Sequence, residues 1–293
     1  MIMVLFFILG LLVLFYIGKL VYKEIFKKRV KIEYAQSRLS AGIKRINSVI
    51  EDIQKIPQDL ADILAIQETR DAELEILLKS ILFNNKELYG VAVSYEPYQY
   101  CKDSFFHDPY LYRRGDSIIF NQDFDSTDNY FYMDWYLIPK TLMKPNWTEP
   151  YFEKSGDHTF MSTFSTPFFR FSGTKEKFSG IVSVDVAIET LTNAVESFGK
   201  RMKGDVMLLS ENGTVLASLD KDWINNQTIF TLGAEMNLPV LREIGRDLQK
   251  GISGLRIIDE FNGHKDVYAF YMVIPINKWG FVLFLSKEVL MNN

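Results

Sequence analysis

Aromatic and acidic side chains are concentrated in one part of this sequence. The stretch YFYMDWYLIPK spans residues 130–140, and NWTEPYF follows it at residues 146–152. Trp135, Tyr136 and Tyr151 offer flat apolar faces with polar tips, and a cavity lined by rings and a few placed polar groups is the usual form of a small-ligand site. Rings near prolines are also typical of a small core beneath a loop, so composition alone does not decide between these interpretations.

Motifs for catalysis or metal binding are not recognisable in the sequence. The three histidines, His107, His158 and His264, are far apart and lack the HExxH spacing of a zinc site. The sequence contains no GxSxG elbow and no glycine-rich phosphate loop. The single Cys101 excludes an internal disulfide and a CxxC metal pair. We therefore expect no enzymatic activity, no metal and no cofactor.

The composition is that of a globular protein rather than a disordered or fibrous one. With 293 residues, of which 47% are hydrophobic, the chain can form one large core or two modest ones. The net charge of −4 gives no reason to expect a nucleic-acid partner.

The first 18 residues, MIMVLFFILGLLVLFYIG, carry no charge. A helix rises about 1.5 Å per residue and the bilayer core is about 30 Å thick, so residues 1–22 are predicted to be a transmembrane anchor. A cleavable signal peptide would show a basic start, a shorter apolar run and a small-residue cleavage site. The expected location is thus the cell membrane, crossed once at the N-terminus, with the remaining chain extracytoplasmic.

The charges that follow the anchor conflict with this orientation. Six basic residues come directly after the apolar run, and the positive-inside tendency would keep them in the cytoplasm. They are Lys19, Lys23, Lys27, Lys28, Arg29 and Lys31. Either the true start of the protein lies upstream with basic residues of its own, or translocation of the long domain overrides the flanking charge.

A long amphipathic helix is predicted for residues 23–83. Apolar residues there recur at spacings of three and four, as at Ile43, Ile46, Ile50 and Ile53. Pro57 is expected to bend or interrupt this helix, because proline lacks the amide hydrogen and clashes with the preceding turn.

The rest of the sequence predicts strands joined by hairpins. Residues 88–95, 159–169 and 178–188 are rich in β-branched and aromatic residues, which places Asp185 inside a strand. After a predicted helix at residues 189–202, a second series of strands begins, with a tight turn at residues 211–213. The predicted fold class is α+β, with two tandem modules of mainly antiparallel sheets and a boundary near Lys200.

The order of these segments resembles the double Cache (PAS-like) family of extracytoplasmic sensor domains. The resemblance covers residues 39–289 and rests on YGVAVSYEP, PYLYRRG, DWYLIPK, WTEPYF, MSTFSTPFFR and GIVSVDVAIETL, in this order. It is greatest to the Cache domains that precede a HAMP linker and a serine/threonine phosphatase or another signalling output in bacterial receptors. The resemblance implies a membrane-distal module at residues 84–200 that binds the ligand, and a membrane-proximal module at residues 201–289.

The same resemblance implies partners. The long helix of such sensors supports both modules and often pairs in a homodimer. Receptors of this architecture need a signalling output, and none follows in the sequence. We therefore expect a truncated or domain-level chain, with a stand-alone membrane sensor as the alternative.

Site residues are implied by the amino-acid-sensing members of the family. Trp135, Tyr136, Tyr151 and Asp185 match their motif, in which the strand aspartate holds the ammonium group of the ligand. The arginine that holds the ligand carboxylate is replaced here by Met133, and a thioether cannot supply the paired donors of a guanidinium.

Two further acidic residues bear on the charge of the ligand. Asp128 stands at the position of the leading tyrosine of the motif, and Asp134 lies next to Trp135. Acidic side chains and aromatic rings without an arginine to bind a carboxylate favour an amine or another cationic small molecule over an amino acid. In the alternative, Asp134 faces solvent, or a carboxylate clamp is restored by Arg113, Arg114 or Arg170.

The sequence thus predicts a small-ligand sensor module of a membrane signalling receptor. Two other classes remain open at this point, a membrane-associated enzyme and a structural module for protein contacts without a small ligand. A ligand that stabilises the fold without being turned over would separate the sensor from both.

Overall fold

A computed structural model describes residues 2–121, 129–153 and 159–292 of the chain. A single long helix, α1 (Ile2–Ile66), runs along both halves of the molecule. It continues through Pro57, so the predicted interruption at this proline is wrong. Pro57 is buried and lies between Ile53 and Leu60, which pack into the core of the first module and hold the helix together. The break comes at residues 67–70, before α2 (Asp71–Asn84).

The N-terminal part of α1 bears on the predicted anchor. In the part of the chain that the structure describes, we find no helical segment whose length and apolar character suffice to cross a bilayer. The transmembrane anchor at residues 1–22 therefore stays a prediction.

The first module is built on an antiparallel sheet. Its order is β3-β2-β1-β7-β6-β4, with β5 paired to β6. Within the described residues its strands are β1 (Gly90–Tyr95), β2 (Tyr110–Arg114), β3 (Ser117–Asn121), β4 (Asn146–Trp147), β5 (Tyr151–Phe152), β6 (Phe160–Ser172) and β7 (Lys175–Ala187). A 3₁₀ turn, Tyr130–Tyr132, and α3 (Asp134–Leu142) lie between β3 and β4.

The second module follows α4 (Ile188–Met202). Its sheet has the order β10-β11-β12-β8-β9, again with antiparallel pairs. The described strands are β8 (Asp205–Leu209), β9 (Val215–Ser218), β10 (Gly254–Phe261), β11 (His264–Ile274) and β12 (Trp279–Ser286), and the helices are α5 (Ile229–Glu235), α6 (Pro239–Gln249) and α7 (Lys287–Asn292). The predicted α+β class with two antiparallel sheets is confirmed. The turn at residues 211–213 joins β8 to β9, and Gly213 there has a φ of 90°.

The long helix contributes to both cores. Ile53, Leu60 and Leu64 pack against one face of the first sheet, together with Leu74 and Leu78 of α2. Nearer the N-terminus, Ala35, Leu39 and Ile43 pack with α4 and the second sheet. The same helix thus packs against both modules. A structural change in one module can therefore be transmitted to the other through α1.

Helix α4 crosses α1 at a close contact. An added Cβ at Gly42 would lie 2.7 Å from the ring of Phe198, so a larger residue at this position would require the Phe198 ring to move. The close approach seats α4 against α1 in the second core.

Candidate functional site

The face of the first sheet that lies opposite α1 and α2 is polar. Val91 and Val93 of β1 and Val182 and Val184 of β7 point into the helix-covered core. Since side chains alternate along a strand, the residues between them lie on the other face. These are Gly90, Ala92 and Ser94 of β1 and Ile181, Ser183 and Asp185 of β7, and the two strands pair with Gly90 opposite Asp185 and Ala92 opposite Ser183.

Asp185 is the carboxylate of this face, and only 5% of the residue is exposed. The Thr163 hydroxyl donates a hydrogen bond of 2.6 Å to Asp185 Oδ1. The Tyr151 hydroxyl is 2.7 Å from Thr163 Oγ1, and with Thr163 donating to Asp185, Tyr151 is the donor in that pair. The structure therefore brings together two of the predicted site residues, Tyr151 and Asp185, through a threonine.

Gly90 makes room for the Asp185 carboxylate. An added Cβ at Gly90 would lie 2.6 Å from Asp185 Oδ2 and equally close to the Tyr110 hydroxyl. The absence of a side chain at this position lets the carboxylate and the phenol meet over the backbone of β1. Any larger residue would displace both groups.

Burial governs the protonation of these groups. It raises the pKa of Asp185 to about 6, although the hydroxyls of Thr163 and Tyr110 act in the opposite direction. The pKa values of Tyr110 and Tyr151 are also raised, first by burial and then by the charge of Asp185. At neutral pH the site thus holds a buried negative charge, and among the described side chains a neutral hydroxyl, that of Thr163, donates a hydrogen bond to it.

A second buried carboxylate, Asp108, lies on the same face. Its Oδ1 accepts a hydrogen bond of 2.5 Å from Ser94 Oγ. Burial raises the pKa of Asp108 to about 7, and the charge of Asp185 adds to this increase. Asp108 was not among the predicted site residues. The alternation Asp108, Tyr110, Tyr112 could have indicated one face of a strand, but no ring-rich or acidic run draws attention to it.

The aromatic residues from the opening stretch cover the neighbouring part of this face. Tyr130 and Tyr136 are buried and pack on Ile181 of β7, with Trp135 partly buried beside them. The Tyr136 hydroxyl donates a hydrogen bond of 2.6 Å to Glu96, and Lys140 forms an ion pair with the same carboxylate. Tyr136 therefore supports the wall of the site, because its polar tip is already bound.

The other predicted site residues are placed as follows. Asp134 is exposed in the first turn of α3 and has no contact with Asp185. Met133 is half-buried, and its carbonyl oxygen accepts the amide hydrogens of Tyr136 and Leu137 at the start of α3. Asp128 lies outside the described residues.

Two of the three arginines that could restore a carboxylate clamp are bound elsewhere. Arg113 donates to the carbonyl oxygens of Leu82, Leu88 and Asn85 around the end of α2. Arg170 donates to the carbonyl oxygen of Leu64 at 2.8 Å, in the last turn of α1.

Arg114 is the third of these arginines. It is exposed and donates to the Tyr112 hydroxyl at 2.8 Å. The ring of Tyr112 is stacked on that of Tyr110, with the ring centroids 5.4 Å apart.

A family model matches the part of the chain that carries this site. Residues 74–193 match the model described as methyl-accepting chemotaxis protein-like, first PDC sensor domain. No curated protein matches the chain. This segment is thus similar to a PDC sensor domain, in agreement with the predicted resemblance to double Cache sensors.

Solved structures share the architecture of the whole chain. The extracellular domain of mmHK1S-Z2, described as a histidine kinase, is 25% identical, with a TM-score of 0.72 over 88% of this chain and 98% of that one. The ligand-binding domain of Mlp24 with asparagine is 18% identical, with a TM-score of 0.60 over 90% and 96%. That of the Pseudomonas aeruginosa PAO1 amino acid chemoreceptor PctC, in complex with GABA, is 18% identical, with a TM-score of 0.59 over 84% and 96%. The two-module sensor fold is therefore confirmed.

Proposed function

We propose that the chain is the extracytoplasmic small-ligand sensor module of a membrane signalling receptor, and that its ligand is an amine or another small cation. The observation that carries this proposal is the buried carboxylate of Asp185, which is surrounded by hydroxyls. None of the described residues forms an ion pair with it. A buried charge without a counter-charge is costly, and a ligand cation would provide the missing partner.

The setting of Asp185 favours a cation over an anion. Asp108 lies on the same face and adds negative potential, whereas Arg113 and Arg170 are occupied at the ends of α2 and α1. The similar domain of Mlp24 is bound to asparagine and that of PctC to GABA, and both ligands carry an ammonium group. Asp185 would hold such a group, and Met133 stands where a carboxylate would need a basic partner.

Transmission would occur by a shift in populations. A ligand that binds one arrangement of the site more tightly favours that arrangement, and α1 would pass the change along because it packs in both cores. This proposal includes a membrane anchor at residues 1–22, a homodimer through α1, and an output region outside residues 1–293.

A melting experiment against a panel of metabolites tests the proposed function. At a ligand concentration a hundredfold above the dissociation constant, the chain should be stabilised by about 2.7 kcal/mol. The panel should contain amines, amino acids and organic acids at matched concentrations. Turnover of a panel compound without a saturable shift would favour an enzyme. Neither stabilisation nor turnover across the panel would favour a structural module.

A further inference from the structure

One end of the second module lies beside the basic part of α1. Lys28 Nζ is 5.3 Å from the centre of the Tyr268 ring, near the start of β11. Ala35 of α1 and Leu290 of α7 belong to the same core cluster, together with Met202 at the end of α4. The end of α4, the first half of β11 and α7 therefore lie near residues 28–35 of α1.

The side chains at this end form a basic collar. Its members, on α1 and on the three elements around it, are Lys19, Lys23, Lys27, Lys28, Arg29, Lys31, Lys200, Arg201, Lys203, Lys265 and Lys287. Residues 19–33, 200–205, 264–266 and 287–288 together contain these eleven basic residues and five acidic ones, a net charge of +6 in a chain whose total is −4. The remainder of the molecule is therefore acidic, and the charge is strongly polarised toward this end.

Most of the collar is not neutralised by neighbouring acids. The exceptions are three ion pairs, Arg29 with Glu33, Lys200 with the partly buried Glu196 at 3.9 Å and Lys287 with Asp266 at 3.3 Å. Lys203 and Lys265 are exposed and have no ion pair with another described residue. Such lysines remain available to an external anion.

A cavity of about 240 Å³ opens between the members of the collar. Its polar lining consists of Lys200, Lys203 and His264 with Asp205 and Ser286, and Val289 and Leu219 contribute apolar surface. A concave site with cationic rims and an apolar wall suits an anionic group that is attached to a hydrocarbon chain.

The collar continues directly into exposed apolar side chains. On α1, Leu12 is 59% exposed, Phe15 74% and Tyr22 69%. A lipid surface offers anionic groups and hydrocarbon at neighbouring depths, whereas nucleic acid or an acidic protein would satisfy only the charges.

We propose that the basic collar is a docking surface for a bilayer that contains anionic phospholipid, with headgroup phosphates at Lys200 and Lys203. The proposal rests on the membrane anchor of the proposed function and adds the lipid class that the sensor region recognises. It also gives the basic residues after the apolar run a role on the outer side of the membrane. The acidic remainder of the molecule would be repelled by the same surface, and this fixes the orientation of the sensor.

Lysine labelling of the full chain in nanodiscs tests this proposal. Discs of phosphatidylglycerol and discs of phosphatidylcholine should be compared, with a water-soluble amine reagent and detection by mass spectrometry. Labelling of Lys200, Lys203, Lys265 and Lys287 should be about fivefold slower in phosphatidylglycerol, the ratio expected from the attraction of one lysine to an anionic surface. Lys175 and Lys177, exposed at the β6–β7 hairpin, serve as internal controls whose rates should not change.

Matched variants provide a second measurement. The double variant Lys200→Gln, Lys203→Gln should retain less phosphatidylglycerol through purification than wild type, whereas Lys175→Gln, Lys177→Gln should retain as much. Salt at about 1 M should abolish the difference between the two kinds of disc, because it screens charges beyond about 3 Å. Equal labelling of the collar in both discs would overturn the proposal. Failure of the chain to insert into either kind of disc would contradict both the anchor and the basic collar. The ligand-induced stabilisation would still be tested separately by melting.

Discussion

The ring centroid of Trp147 lies 5.6 Å from that of Trp279, and this contact joins the two modules. Trp147 belongs to β4 of the first module, and Trp279 is buried in the core of the second. The next residue, Thr148, accepts the Thr163 amide hydrogen on its hydroxyl at 3.0 Å. Since Thr163 also binds Asp185, a short chain of contacts leads from the candidate site to the second module.

Replacing Trp147 tests whether this contact transmits ligand binding. Trp147 Nε1 has no hydrogen-bond partner among the described residues, so Trp147→Phe removes ring area but no hydrogen bond. We expect a destabilisation of about 1–3 kcal/mol. An amine that stabilises wild type should still bind, but hydrogen exchange in β12 should no longer respond to it. Trp223→Phe, in the second module and away from this contact, is the control. An unchanged response of β12 in the Trp147 variant would rule out this route.

Asp185→Asn isolates the charge of the site. The amide oxygen can still accept the Thr163 hydrogen bond, so the fold should be retained. Loss of a buried charge partner typically costs 2–5 kcal/mol of binding, so affinity for a cationic ligand should fall by about 30-fold or more. Calorimetry at pH 8 measures the loss. The matched control is Asp134→Asn, which removes an exposed charge on α3 and should bind as wild type does. Equal affinity in wild type and Asp185→Asn would place the cation elsewhere.

The two buried carboxylates predict how stability depends on pH. Burial raises the folded-state pKa of Asp185 to about 6 and that of Asp108 to about 7, above the ordinary value of 3.8. Their contribution to stability is therefore fully present below about pH 4 and is lost as the pH rises to about 7. Asp108→Asn should raise the unfolding free energy at pH 8, by up to about 4 kcal/mol, and flatten the profile between pH 4 and 7.

Urea unfolding of the ligand-free chain at several pH values checks this prediction. A Glu87→Gln variant, which removes the charge of a partly buried residue beyond α2, is a control that should keep the wild-type slope. If the stability of the Asp108→Asn variant falls with rising pH as steeply as that of wild type, burial does not raise the pKa of Asp108.

The anchor predicts the behaviour of two chain lengths. The full chain should stay in the membrane fraction after a high-salt or carbonate wash. A chain that begins at Lys31 should be soluble and folded, because the helical residues that pack into the cores begin near Ala35. Fractionation after each wash measures the outcome. Release of the full chain by either wash would contradict the anchor.

Much of the fold could be predicted from the sequence, because periodicity and turns are local signals. The alternating residues around Asp185 lie in strand β7. The predicted turn at residues 211–213 joins two paired strands, β8 and β9. Pro57 misled the prediction, since its local cost is outweighed by burial of the neighbouring residues of α1 in the first core. The break between α1 and α2 contains no proline or glycine, so no local sequence signal predicts it.

The site was harder to predict, because it is assembled from strands that are distant in sequence. Tyr151 and Asp185 meet only through Thr163, and the space for the Asp185 carboxylate comes from Gly90 on another strand. The position of Asp134 next to Trp135 predicts a site residue, but neighbours on a helix point in different directions, and Asp134 is exposed. Cross-strand register, which a single sequence does not specify, decides these contacts.

The most direct test of the central claim is a calorimetric titration of the full chain with pairs of compounds, each an amino acid and the amine formed by its decarboxylation. The paired compounds share their side chain and ammonium group and differ in the carboxylate. If Asp185 holds the cation and no basic fork faces it, an amine should bind about tenfold or more tightly than its amino acid, because a ligand carboxylate would approach two buried acids. Tighter binding of the amino acid would contradict this binding mode and direct attention to Arg114, which donates to the Tyr112 hydroxyl beside Tyr110.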